Sequence, residues 1–227
     1  MCGRYHFSFD RMDDIKDMIE GEDWKLWLGL MDKDIHPGDM GPVMVASAAA
    51  GPDMAASAAT GPDMAASNGE NLPENTSGED RGLLRLCKQK WGFPAPDGKG
   101  LVFNARSETV FEKRMFRESV SRRRAAIPVT WFYEWNKNKE KFTFTREDSR
   151  VLFLAGFYSV YEDGAHFVIL TTEANSSMAP VHSRMPLVLE KDQVKAWVLD
   201  GGKTKELLGQ IPAGLSRSCE YEQQTLF

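Results

Sequence analysis

Five short runs rich in β-branched and aromatic residues follow one another between positions 124 and 171: 124–128, 130–135, 141–146, 151–158 and 166–171. Pairs of them are separated only by turn material such as Asn136-Lys137-Asn138 and Glu162-Asp163-Gly164, which punctuates strands. Further strands are predicted at 3–8, 84–91, 101–104 and 186–189. Helical spacing occurs at 11–20 (Met12, Ile15, Met18, Ile19) and at 108–118 (Val110, Phe111, Met115), with two C-terminal helices at 191–199 and 203–209. Strands in succession with helices at the flanks specify an α+β fold with mostly antiparallel pairing, not a βαβ repeat. There is no glycine-rich phosphate loop; Gly201-Gly202 reads as a helix break.

One stretch does not belong to this pattern. Gly51-Pro52-Asp53-Met54-Ala55-Ala56-Ser57 recurs ten residues later as Gly61-Pro62-Asp63-Met64-Ala65-Ala66-Ser67. The repeat is too short and too rich in small residues to bury the apolar area that would offset ordering. Residues 46–80 therefore read as a flexible low-complexity insertion within a single domain spanning 1–227. A short Ala-rich helix broken at the Gly-Pro pairs is the rival reading. The insertion carries six acids and no Lys or Arg. Setting it aside turns a net charge of −5 into 28 basic against 27 acidic residues. The body is then mildly basic, and Arg122-Arg123-Arg124 is its densest run. That run reads equally as part of a phosphate-binding groove and as a solvated strand entry.

The bulk composition, 42% apolar and 27% charged, is that of a globular protein with a sizeable core. No apolar run approaches 18 residues, so no membrane span is expected, and the N-terminus does not read as a secretory signal. Cys2, Cys87 and Cys219 are odd in number and far apart. Neither they nor His6, His36, His166 and His182 show disulfide or metal-ligand spacing. The expectation is a cytoplasmic protein without metal or cofactor.

Cys2 follows Met1 directly. Trimming of Met1 leaves an α-amine and a thiol on one residue. Their reference pKa values, about 7.7–8.0 and 8.5, leave both partly deprotonated near neutral pH. An amine attacks an aldehyde to give a Schiff base and a thiolate is a strong nucleophile, so together they can close a five-membered thiazolidine ring. Alone, the position of Cys2 is a weak signal.

Three further strings add weight. Phe103-Asn104-Ala105-Arg106-Ser107-Glu108-Thr109 sits where a strand hands over to a helix, a place where Asn104 can orient a reacting group and Arg106 can hold a phosphate. In Trp131-Phe132-Tyr133-Glu134-Trp135 the strand period puts Phe132 and Glu134 on one face and the other three aromatics on the opposite one. A carboxyl among aromatics is expected to be desolvated and suited to acid–base work; a solvent-facing Glu134 on a half-buried strand is an equal reading. Thr171-Thr172-Glu173-Ala174-Asn175 precedes Pro180-Val181-His182-Ser183-Arg184-Met185-Pro186, where His182 can exchange a proton near neutral pH.

Cys-Gly-Arg, Trp-Gly, Asn-Ala-Arg-Ser-Glu-Thr, Phe-Tyr-Glu-Trp, Thr-Thr-Glu-Ala-Asn and His-x-Arg-Met-Pro occur here in that order. In this the chain resembles the SOS response-associated peptidase (SRAP) family, over nearly its whole length except 46–80. The resemblance implies an α+β domain around a barrel-like antiparallel sheet with a groove for single-stranded DNA. It implies that Cys2 captures the ring-opened aldehyde of an abasic site as a thiazolidine, with Asn104, Glu134 and His182 beside it. Arg4, Arg106 and Arg184 would then contact phosphates and Trp91 would stack on a base. The partner would be single-stranded DNA with abasic sites, bound by a monomer, with no membrane and no metal. The stretch Asp34-Ile35-His36-Pro37-Gly38 departs from the family's usual Asn-x-x-Pro-Thr.

Two other readings compete: an N-terminal-cysteine peptidase acting on itself, and a non-catalytic single-strand-binding module. They differ in their need for Cys2 and for its amine. A weak lyase activity is also expected from any imine that the thiol does not trap.

Overall fold

The computed structural model describes residues 2–20, 32–47 and 84–219. Its strands, in chain order, are β1 (Tyr5–Ser8), β2 (Asp32–Ile35), β3 (Met40–Ala46), β4 (Leu84–Trp91), β5 (Phe93–Pro94), β6 (Leu101–Val102), β7 (Asn104–Arg106), β8 (Arg124–Val129), β9 (Trp131–Trp135), β10 (Lys141–Thr145), β11 (Leu152–Tyr161), β12 (Gly164–Glu173), β13 (Arg184–Pro186), β14 (Val188–Leu189) and β15 (Ser216–Cys219). The α-helices among the described residues are α1 (Arg114–Arg122), α2 (Gln193–Leu199) and α3 (Thr204–Leu208).

Five strands close on themselves. The order β12–β4–β3–β8–β11 returns to β12 through an antiparallel ladder from Gly156↔Ile169 to Tyr161↔Gly164. Closure leaves no free edge within that ring. A second sheet, β15–β10–β9–β1–β2, is antiparallel throughout. Its inner face is aromatic: Tyr5, Phe7, Phe132 and Phe144 are all at most 1% exposed, and the Phe132 and Phe144 rings stack at 5.1 Å. Pairing is mostly antiparallel, as the strand spacing predicts; the exceptions are β12 with β4 and β12 with β7.

Two glycines permit the close approaches. A Cβ on Gly156 would stand 2.5 Å from Ile127 and 2.6 Å from the Val168 carbonyl, so a side chain there would push β11 off its neighbours. A Cβ on Gly41 would meet the Tyr5 hydroxyl at 2.2 Å. Gly41 is thus where the second sheet presses its tyrosine onto the barrel.

Several elements differ from the sequence expectation. Residues 11–20 form 3-10 turns (Phe9–Asp14 and Lys16–Met18), not an α-helix. Ile15, Met18 and Ile19 are buried there, but Asp10, Asp13, Asp14 and Asp17 are weak helix formers, and a 3-10 turn satisfies the same i, i+3 spacing. The helix expected at 108–118 begins later, at Arg114, and buries Phe116, Ser119 and Val120. Strand β3 has no counterpart in the sequence reading: Gly41-Pro42 punctuates it, and five consecutive buried residues show no alternation. The insertion at 46–80 lies, apart from residues 46 and 47, outside the described residues.

The arginine run is resolved by burial. Arg124 is 6% exposed and serves two helix C-termini. Its guanidinium donates to the carbonyls of Val120 (3.3 Å) and Ser121 (2.6 Å) on α1, and to those of Trp197 (2.6 Å) and Val198 (3.5 Å) on α2. A cation at two negative dipole ends is favourable, and α2 is further seated by Trp197 donating to Ala125 O at 2.9 Å. Arg124 is therefore a structural tie, not a groove residue. Arg124→Met keeps the bulk but leaves buried carbonyls unpaired, at a cost of about 2–4 kcal/mol. Thermal unfolding should show a Tm lower by roughly 5–15 °C; an unchanged Tm would mean that the helices are docked without it.

Candidate active site

The first described residues run along β9. The Arg4 carbonyl accepts from Tyr133 N at 3.0 Å, one step beyond the Tyr5↔Phe132 pair. Extending that antiparallel register carries the chain toward Glu134. Glu134 is 4% exposed, on the inner face opposite Phe142, which decides between the desolvated and solvent-facing readings; it shares that face with Phe132, as the alternation predicts. Cys2 is 1% exposed, and its thiol points at the Arg4 carbonyl, 3.7 Å away. Burial and then the charge of Glu134 push the Cys2 thiol up to about 12. The resting thiol is thus protonated at neutral pH, and Glu134 is near enough to act on it electrostatically.

Strand β12 assembles the rest, because it outlasts the barrel. Its first half pairs with β11 and β4; its second half pairs with β7 on one edge and β13 on the other. Through β7, Asn104 comes level with Ile169, and its side-chain Nδ2 donates to the Cys2 carbonyl at 2.8 Å. The Asn104 Oδ1 is buried without a hydrogen-bond partner, an acceptor facing no donor. Through β13, Arg184 comes level with Glu173. Just before it, His182 Nδ1 lies 2.9 Å from Arg184 N and 3.2 Å from the Arg184 carbonyl, which seats the ring against β13. His182 also lines a cleft of about 650 Å³ between residues 135–138 and 179–183.

The three arginines expected near this site differ in state. Arg106 is exposed. Arg184 forms a two-pronged ion pair with Glu108, at 2.7 and 2.8 Å, and also donates to the Thr171 carbonyl at 2.7 Å. Arg4 lies 4.8 Å over the Tyr133 ring, hence on the face of β9 opposite Glu134, and donates to Asp34 through Nε (2.8 Å) and Nη2. Asp34 also receives His6 Nδ1 at 3.0 Å and the Tyr133 hydroxyl at 3.1 Å. Partial burial opposes ionisation of Asp34, yet the bonds from Arg4, His6 and Tyr133 hold its carboxyl below the usual value.

Trp91 is where the structure corrects the expectation. It is fully buried, donates its indole N–H to Phe103 O at 2.9 Å, and packs against Tyr5, Phe103 and Phe167. No ring face is open to a base, because three distant segments converge on it. Asp34 and Glu108, which the sequence reading did not single out as site residues, are the side chains that partner Arg4 and Arg184. The signal for Glu108 was its place in the Asn104–Thr109 string. Among the described residues no three His, Cys, Asp or Glu side chains gather as a metal site, and no helix is long and apolar enough to cross a membrane.

The family description SOS response associated peptidase (SRAP) matches residues 1–220. The chain belongs to the SRAP family. Among curated relatives, abasic site processing protein YoaM of Bacillus subtilis is 34% identical over an alignment of 128 residues that covers 50% of this chain and 56% of that protein. Abasic site processing protein YedK of Escherichia coli is 31% identical over an alignment of 143 residues that covers 57% of this chain and 64% of YedK. The chain thus spans less than two thirds of the length of these relatives. A solved Bacteroides thetaiotaomicron protein shares the fold, with a TM-score of 0.69 and 17% identity, covering 96% of this chain and 91% of that one.

The burial and charge at this SRAP thiol make a prediction. Removing a neighbouring negative charge lowers a thiol pKa, so Glu134→Gln should raise the thiolate fraction of Cys2 and speed its alkylation by iodoacetamide at pH 8–9. Peptide mapping by mass spectrometry separates Cys2 from Cys87 and Cys219. An alkylation rate at Cys2 unchanged in a folded Glu134→Gln protein would mean that the Glu134 charge does not reach the sulfur.

Proposed function

We propose that this protein processes abasic sites in single-stranded DNA by capturing the ring-opened sugar covalently on Cys2. The observation that carries the reading is a buried thiol within the field of a buried Glu134, on a residue whose carbonyl is fixed by Asn104. The names of the relatives YoaM and YedK, abasic site processing proteins, point the same way.

With Met1 removed, the Cys2 α-amine attacks the C1′ aldehyde. The N–C bond forms, the carbonyl oxygen leaves as water, and an imine remains. The thiol then adds across the imine: the S–C1′ bond forms and the thiol proton ends on nitrogen, closing the thiazolidine. No oxidant or reductant is needed. Glu134 is suited to deliver the proton that turns the departing hydroxyl into water and to relay the thiol proton. Asn104 Oδ1, with no partner of its own, is suited to accept from the α-amine and hold it at the aldehyde. His182, whose ring lines the cleft, is suited to assist sugar opening there. Arg106 and Arg184 flank the site at the two edges of β12 and supply cationic contacts for the backbone.

The deciding experiment mixes Met1-free protein with single-stranded DNA containing one abasic site and resolves it on a denaturing gel. A heat-stable shifted band in wild type, absent in Cys2→Ala, is the expected result. Glu134→Gln should slow band formation by about 10²-fold or more even though it activates the thiol toward iodoacetamide. No band from protein proven free of Met1 would refute covalent capture and turn attention to peptide substrates. Cys2→Ser keeps the amine but lacks the trapping thiol, so it should convert capture into strand cleavage by elimination of the 3′ phosphate. Uncleaved DNA with this variant would argue against an imine.

A further inference from the structure

Resting on that reading, we propose that the Glu108 carboxylate is a built-in stand-in for a DNA phosphate on Arg184, given up on binding, and that Asp34 occupies Arg4 in the same manner but without release.

The geometry at Arg184 is that of a phosphate clamp already filled. Two guanidinium nitrogens meet the two oxygens of Glu108 at 2.7 and 2.8 Å, the parallel arrangement by which arginine also binds phosphate. Thr171 fixes the guanidinium from behind through its carbonyl, so the arginine stays in place whichever anion it holds. Its Nε is buried and takes no part in the pair, so the exchange concerns the two terminal nitrogens. The side chain of Glu108 is 46% exposed, against 16% for Arg184. The acid can therefore swing into water while the base remains. An ion pair with one solvated partner is weakly held, which makes the exchange easy.

Asp34 differs in each respect. Its side chain is 21% exposed, and it keeps His6 and Tyr133 as donors besides Arg4. His6 is itself pinned between Asp34 and Asp32 and stacked on Trp131 at 3.9 Å. A phosphate approaching Arg4 must compete with an anion held by three groups. Arg4 is thus neutralised at rest, and Arg184 is the cation that DNA can recruit. In a chain of net charge −5, two masked arginines also lower attraction to nucleic acid away from the lesion.

The test is fluorescence anisotropy with labelled, undamaged oligothymidine at about 50 mM salt, where no crosslink forms. Glu108→Gln and Glu108→Ala should each tighten binding about three- to tenfold relative to wild type, since DNA no longer competes with the carboxylate. Asp34→Asn should tighten it as well, by exposing a cation that wild type withholds. Arg184→Ala should weaken binding, and Glu108→Ala added to it should give no further gain, which marks the effect as acting through Arg184. Circular dichroism and Tm identify any variant that fails to fold. Equal or weaker binding by folded Glu108 variants, with wild type binding DNA, overturns the inference and leaves the proposed function intact. Binding by the variants and not by wild type is the same mask at its strongest. Binding by none of the proteins sinks the DNA reading and this inference with it.

Discussion

Ring closure between β11 and β12 is the constraint on which the rest depends. It requires Gly156, whose missing side chain lets the strand pass between Ile127 and the Val168 carbonyl, and it fixes β12 along half its length. The other half of β12 then projects as a rigid two-edged rail. β7 joins one edge in parallel and β13 the other in antiparallel fashion. Asn104 and Arg184 owe their positions to this rail and not to loop conformation. A reacting group held by a strand is held more precisely than one on a loop, which suits a residue whose amide must meet the Cys2 carbonyl.

The second sheet contributes its charge by a different route. Five buried aromatic side chains (Tyr5, Phe7, Phe132, Phe142 and Phe144) make its inner face apolar, and Glu134 is the acid placed on that face. The outer face of the same strands carries the opposite arrangement: Arg4, His6, Asp34 and Tyr133 satisfy one another in a polar network. One strand, β9, thereby separates a desolvated carboxyl from a solvated, paired one. The two-residue period makes Tyr133 and Glu134 face opposite ways, and the buried aromatics on one side make the difference.

This is also why part of the site was legible in the sequence and part was not. The alternation in Trp131–Trp135 puts Glu134 on the same face as Phe132 without any structure but leaves open whether that face is buried, and the strand runs from 124 to 171 appear close to where they were expected. Alternation says nothing about what packs on a face, however. Trp91 looked available for stacking, yet Tyr5, Phe103 and Phe167 close over it from three separate segments. Arg124 looked like part of a basic patch, yet the ends of α1 and α2 meet on it. β3 was invisible because a barrel strand buried on both faces loses the polar half of its pattern. The pairing of Arg4 with Asp34, 30 residues away, and of Arg184 with Glu108, 76 residues away, is non-local and has no signature in composition or spacing.

The protonation state at Cys2 bears on the order of events in the proposed capture. A thiol pushed up to about 12 by burial and by Glu134 is a poor nucleophile at rest, since the thiolate is the attacking species. An α-amine with an ordinary pKa near 8 is partly neutral at the same pH. The amine therefore leads, and the sulfur follows only once an imine lies within reach and its proton has somewhere to go. The charge that suppresses the thiol belongs to the residue proposed to carry that proton. When Glu134 is protonated, its repulsion of a developing thiolate disappears, so delivering the sulfur and accepting its proton become linked. The same suppression keeps the thiol from spending itself on oxidants or stray electrophiles before an aldehyde arrives.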